Sequence, residues 1–208
     1  MREMAPKHEF VRPDNKSRYN EIRHILGHPP DLARLSRSET VQEQIAEQKA
    51  LEDSGYGHVF KEHRVDTTEL RKRAADGTCA RDGERRYIPK DATGFRSDEA
   101  AIAAIAVGWN QRETIRRRME AERRYNAARA GGVPQEKLTT MLDQEMAIRS
   151  FYPIERALGA DWRTQVEGYT KASAGQHDSS FSESTRIKIV WKMTLEGKWY
   201  VETCYPRP

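Results

Sequence analysis

His63, Arg73, Thr203 and Tyr205 are the residues of this sequence whose types and spacing suit proton transfer at a phosphate ester. Cleaving RNA by internal attack needs a base near the 2′-hydroxyl, an acid at the leaving oxygen and a cation over the phosphate. An imidazole titrates near neutrality and fits the first two tasks. A guanidinium grips two phosphate oxygens in a planar fork. Thr203 and Tyr205 stand two apart in an alternating apolar segment, so on a strand both hydroxyls leave from one face. Each residue also has an ordinary use: a histidine near a helix end caps it, an arginine on a polar helix is solvated, and Thr and Tyr are common in strands. Singly, none of the four defines a site.

Other chemistries lack their residues. There is no glycine-rich phosphate loop, no His-Glu-x-x-His and no cysteine–histidine zinc spacing. His58 and His63, five apart on one helix, would point about 140° from each other, which predicts no shared metal ion; neither metal nor cofactor is expected. Cys79 and Cys204 stand at no ligand spacing, and whether they pair is open. Thirty-six basic against 32 acidic residues leave a net charge of +4, a weak nucleic-acid footprint. Local clusters (Arg71-Lys72-Arg73, Arg85-Arg86, Arg116-Arg117-Arg118, Arg123-Arg124) suit phosphate, and suit solvated helix faces equally. No apolar run is long enough to cross a bilayer, and the first residues hold no apolar signal region.

The elements that must position these residues follow from periodicity. Residues 1–35, dotted with Pro6, Pro13, Pro29 and Pro30, predict an extended lead-in. Thr40 with Glu43 makes a capping-box pattern, Val41, Ile45 and Leu51 give a helical stripe, and Gly55 and Gly57 end it. Two short helices are expected between Gly57 and Ala75, the second capped by Thr67 or Thr68 and ended by Gly77, with a long loop over residues 77–94. Ser97, followed by Asp98 and Glu99, begins the strongest helix, with Ala101, Ile102, Ile105 and Trp109 as its stripe and Ile115 and Met119 extending it. Gly131-Gly132 ends the polar continuation and Pro134 begins a new segment; residues 145–170 are ambiguous. The tail predicts a hairpin: Ile187, Ile189 and Trp191, a turn at Glu196-Gly197, then Trp199, Val201, Thr203 and Tyr205. Helices first and strands last give an α+β fold, with residues 1–55 as a polar lead-in carrying one helix and 56–208 as the main domain.

Gly57-His58, Lys61-Glu62-His63, Leu70 and Arg73 together resemble the opening motif of a toxin family. Thr93-Gly94-Phe95 leading into Ala100, Ala101, Ile102, Ile105, Asn110 and Ile115 is similar to its middle helix. Val201-Glu202-Thr203-Cys204-Tyr205-Pro206 is similar to its terminal Thr-x-Tyr-Pro strand. The family is the RNase A-like C-terminal toxin domain of bacterial contact-dependent growth inhibition proteins. The resemblance spans most of 57–208 and is specific at the two ends and the middle helix. It implies an RNase A-like fold, helices on a curved antiparallel sheet, and a metal-independent endonuclease leaving 2′,3′-cyclic phosphate and 5′-hydroxyl ends. It places the catalytic histidine on His63, the arginine on Arg73, and the terminal threonine and tyrosine on Thr203 and Tyr205; His58 matches a further, supporting or structural, histidine. The histidine-to-arginine interval is one residue short, leaving Arg71 as an alternative cation, and Arg64 replaces the family's valine. Residues 118–165 read as a helical insertion, and residues before Gly57 as linker or delivery sequence of a longer parent. Implied with these are export within a larger effector, RNA as substrate in a competing bacterium's cytoplasm, and a cognate immunity protein.

Two rivals remain at this level. Glu202 beside Thr203 could serve an ADP-ribosyltransferase toxin, and the arginines of helix 98–130 could serve a non-catalytic RNA- or protein-binding module.

Overall fold

The computed structural model describes residues 15–64, 66–79, 83–85, 87–170 and 181–208. Along the chain run α1 (Asn15–Leu26), α2 (Leu32–Leu35), α3 (Glu39–Asp53), α4 (Val59–His63), α5 (Thr67–Asp76), β1 (Asp91–Phe95), α6 (Asp98–Trp109), α7 (Arg112–Ala130), α8 (Gln135–Thr140), β2 (Ile148–Pro153), α9 (Glu155–Leu158), β3 (Val166–Thr170), β4 (Arg186–Met193) and β5 (Trp199–Arg207). The architecture is mixed α+β with antiparallel sheets: β2–β4–β5, ending in the C-terminal hairpin, and the ribbon β1–β3.

The centre is α6. Ser97 caps it, its hydroxyl accepting the Ala100 N–H at 3.0 Å, and every residue from Ala100 to Trp109 is buried. A helix apolar on all sides must be enclosed on all sides. Here α1, α2 and α3 pack on it, as do β2, β4 and β5. Gly108 permits the approach to the sheet: a Cβ there would overlap the Ile189 side chain and lie 3.2 Å from Tyr152.

Alternation sorts the sheet into two faces. On β4, Ile187, Ile189, Trp191 and Met193 are buried, while Lys188, Val190 and Lys192 lie on the outer face. In β5 the expected single alternating set is broken by a bulge. Val190 pairs with Thr203 but Trp191 pairs with Val201, leaving Glu202 as the extra residue. Parity flips there: Trp199 and Val201 point inward before the bulge, Cys204 and Pro206 after it. Thr203 and Tyr205 therefore share the outer face with Val190 and Lys188, their cross-strand partners. The β1–β3 ribbon adjoins β5, where the Thr93 hydroxyl donates to the Pro206 carbonyl at 2.5 Å.

Several expectations are corrected. Of the expected lead-in, residues 1–14, with Pro6 and Pro13, lie outside the described residues. The remainder holds two helices, α1 and α2, joined by a turn that contains Pro29 and Pro30; Ile22, Leu26 and Leu35 are fully buried and join the same core as Val59, Ile105 and Cys204, so the Gly55–Gly57 pair does not divide that core. Ser38, not Thr40, caps α3; Thr40 instead donates to Glu21 at 2.9 Å. Asp66, not Thr67 or Thr68, caps α5, in a reciprocal capping box with Glu69. The chain turns at Asn110, and α7 rotates Ile115 and Met119 outward, exposing both; Thr114, Arg118, Ala121 and Tyr125 are buried instead. Within the expected loop 77–94, residues 80–82 and 86 lie outside the described residues, and 91–94 belong to β1. The segment 118–165 supplies β2, a strand of the main sheet.

Candidate active site

Three backbone contacts fix the short helix that presents the histidines. The Glu52 carboxylate accepts the Phe60 and Lys61 N–H groups at 3.0 Å, satisfying donors at the start of α4. Gly57 lies against β5 with φ +85°, where a Cβ would overlap the Val201 carbonyl, and the next N–H, of His58, donates to the Glu202 carbonyl at 3.0 Å. Gly94 lets β1 meet the other end of α4, since a Cβ there would lie 2.7 Å from the His63 carbonyl.

His63 is thereby buried between β1 and β5. Its Nδ1 lies 3.0 Å from the Thr93 carbonyl. A carbonyl only accepts, so Nδ1 carries the hydrogen and Nε2 of the neutral ring keeps its lone pair. Burial pushes the His63 pKa down to about 4, opposed by the Thr93 carbonyl and Glu62 and aided by His58 and Arg73. The ring is therefore neutral at pH 7, with a lone pair on Nε2.

The terminal strand meets it. The Tyr205 ring stacks on His63 with centroids 4.8 Å apart and planes 25° apart, and the His58 ring lies 5.9 Å from His63. Lys188 Nζ donates to the Tyr205 hydroxyl at 2.8 Å. Thr203 is buried, and among the described residues its hydroxyl has no hydrogen-bond partner. An orphaned buried hydroxyl on the face of a candidate site calls for an explanation, and a ligand's polar atom is one.

Arg73 is held by Glu62, which sequence reasoning missed. The guanidinium lies 3.3 Å from the Glu62 carboxylate, which is itself buried. The Cys79 thiol donates to the same carboxylate at 3.2 Å. Burial alone would raise the Glu62 carboxyl, but His58, Cys79, His63 and Arg73 together hold it below its ordinary value. Arg71, the alternative cation, turns to the Tyr169 ring, 5.1 Å from its centroid. Cys79 and Cys204 are both buried, and they are not joined in a disulfide.

One expectation about metal is overturned. His58 precedes α4 as its N-cap instead of lying on the helix, so the 140° divergence does not arise. His58, Glu62 and His63 offer three ligand atoms within 4.8 Å of one another. Two imidazoles and a carboxylate are a donor set that zinc accepts. Arg73 and Cys79 already engage that carboxylate and would compete with an ion for it.

The rivals' residues have other partners. Lys192 Nζ lies 3.6 Å from Glu202. On α7, Glu113 takes both Arg116 and Arg117, Glu120 takes Arg123, and Glu145 takes Arg124, while Arg118 is buried over the Trp109 ring. Four exposed arginines of α7 are thus engaged by carboxylates within the fold.

No family model, curated protein or solved structure matches the chain.

Proposed function

We propose that the chain is a metal-independent ribonuclease of the RNase A-like kind, acting through His63, Arg73, Thr203 and Tyr205. In this reading neutral His63 takes the proton of the 2′-hydroxyl as that oxygen bonds to phosphorus and the bond to the 5′-oxygen breaks. A proton is returned to the 5′-oxygen, and His58 is the neighbouring imidazole for that step. Arg73 opposes charge on the phosphorane, and the two hydroxyls of β5 orient the phosphate or base. The wider expectations rest on the family resemblance: a toxin domain exported within a larger effector, acting in a target bacterium's cytoplasm and blocked by an immunity protein.

The observation that carries the reading is the His63–Tyr205 stack. It brings the two ends of the motif, far apart in sequence, to one place, beside a Thr203 hydroxyl that has no partner among the described residues. The test is incubation of purified protein with total RNA in excess chelator, with analysis of the new ends. Cyclic phosphate and 5′-hydroxyl ends are expected; intact RNA overturns the proposal. The His58, Glu62 and His63 cluster favours a second reading, metal-assisted hydrolysis, for which cleavage would require added zinc and stop in chelator.

A further inference from the structure

The outer face of β2–β4–β5 continues away from Tyr205 as a row of side chains that the proposed chemistry does not use. Phe151 pairs with Lys188, and Lys188 with Tyr205, so these three stand abreast across the sheet. Phe151 is 42% exposed, so part of its ring is open to solvent. The Arg207 guanidinium lies over it, 5.7 Å from the ring centroid. Arg186 and Arg207 are themselves a cross-strand pair, one step along from that row. Arg149 stands on the other side, opposite Val190. All three arginines are exposed, and among the described residues none is paired with a carboxylate. Like charges placed opposite each other in a sheet cost stability unless an anion joins them.

We propose that this face is a binding site for single-stranded RNA, in which Phe151 stacks a base neighbouring the one at His63 and Tyr205 while Arg149, Arg186 and Arg207 hold its phosphates. Two strand spacings, roughly 10 Å, separate β2 from β5, within reach of adjoining nucleotides on one extended strand. Aromatic side chains standing on an open sheet read unstacked bases, whereas a duplex hides its bases from such a platform. The flanking arginines give charge complementarity to phosphate. The site rests on the ribonuclease reading for its direction but not for its test.

The test uses the full chain and a fluorescent 2′-O-methyl oligonucleotide, which lacks the attacking hydroxyl, with binding followed by anisotropy. Wild type should prefer the single strand to the matching duplex. Phe151→Ala should weaken binding roughly tenfold or more, and Phe151→Trp should restore it. Removing Arg186 or Arg207 should weaken binding and flatten its salt dependence, the log–log slope falling by about 0.7 for each phosphate no longer neutralised. Equal affinity for duplex, or binding indifferent to Phe151→Ala, overturns the site. So does equal binding of heparin, a base-free polyanion, because the face would then serve charge alone or an acidic protein partner. If total RNA stays intact while binding depends on Phe151, the site stands and the ribonuclease reading falls; cleavage with Phe151-independent binding gives the reverse.

Discussion

The imidazole of His63 and the phenol ring of Tyr205 lie nearly parallel, centroids 4.8 Å apart. One ring ends a five-residue helix near the front of the chain; the other stands on the last strand. The β5 bulge makes the contact possible. Without the extra residue at Glu202, Tyr205 would share the inward parity of Trp199 and Val201 and point into the core. The bulge also turns Thr203 to the same side, so one irregularity places two hydroxyls.

Thr203→Val separates function from stability. The buried hydroxyl has no partner among the described residues, and leaving such a group unsatisfied costs roughly 1–3 kcal/mol. A methyl of similar shape removes that cost. The variant should be as stable as wild type or more so by urea unfolding, while RNA cleavage falls roughly a hundredfold, the usual loss for one donor at a developing charge. A variant of lower stability and full activity would make Thr203 a structural residue.

Acid should weaken the fold through His63. Its pKa is about 4 in the folded chain against 6.5 for the free side chain, so between those values the unfolded chain binds more protons. Stability is then complete above pH 6.5 and lost as pH falls toward 4, by about 3 kcal/mol over the full interval. Glu62, also lowered, adds a further loss below its own ordinary range. Urea midpoints from pH 4 to 8 should show this slope in wild type and a shallower one in His63→Asn. The same low pKa keeps the proposed base neutral, so the acid limb of kcat/KM should fall well below pH 6.5.

Glu62→Gln tests the carboxylate as a positioning residue. It keeps the shape, removes the charge that holds Arg73 at 3.3 Å, and removes an influence that raises the His63 pKa. Activity should drop, and the acid limb of kcat/KM should move to still lower pH. A merely structural Glu62 would lower stability and leave the pH profile in place.

Much of this arrangement is written in local sequence, and the rest depends on partners distant in the chain. Ser97 and the alternation around Ile187–Trp191 are local signals, and both elements form as expected. Tyr19, Ile22 and Leu26 do carry helical spacing, but the charged residues between them hide it until α6 supplies a surface to bury them. β1 contains a glycine and only five residues; what makes it a strand is β3, its partner across a long intervening stretch. Glu62 sits between a lysine and a histidine and looks solvated, and only the fold brings Arg73 and Cys79 to it. The bulge has no marker at Glu202, so Lys188 could not be matched to Tyr205 from sequence register.

Gly57 and Gly55 offer a matched pair for testing what pins α4 to β5. Both have positive φ, +85° and +89°, so an alanine at either costs about 1–2 kcal/mol from backbone conformation alone. They differ in surroundings: nothing lies within 4 Å of a Cβ at Gly55, whereas one at Gly57 would overlap the Val201 carbonyl. Gly57→Ala must therefore push His58 and α4 away from the strand that carries Thr203 and Tyr205. Gly55→Ala should show the conformational loss only, with RNA cleavage per folded molecule unchanged. Gly57→Ala should lose clearly more stability and, even where folded, most of its cleavage. Equal activity in the two folded variants would mean that the separation of α4 from β5 does not control the reaction, and the assignment of chemistry to the His63–Tyr205 junction would fail with it.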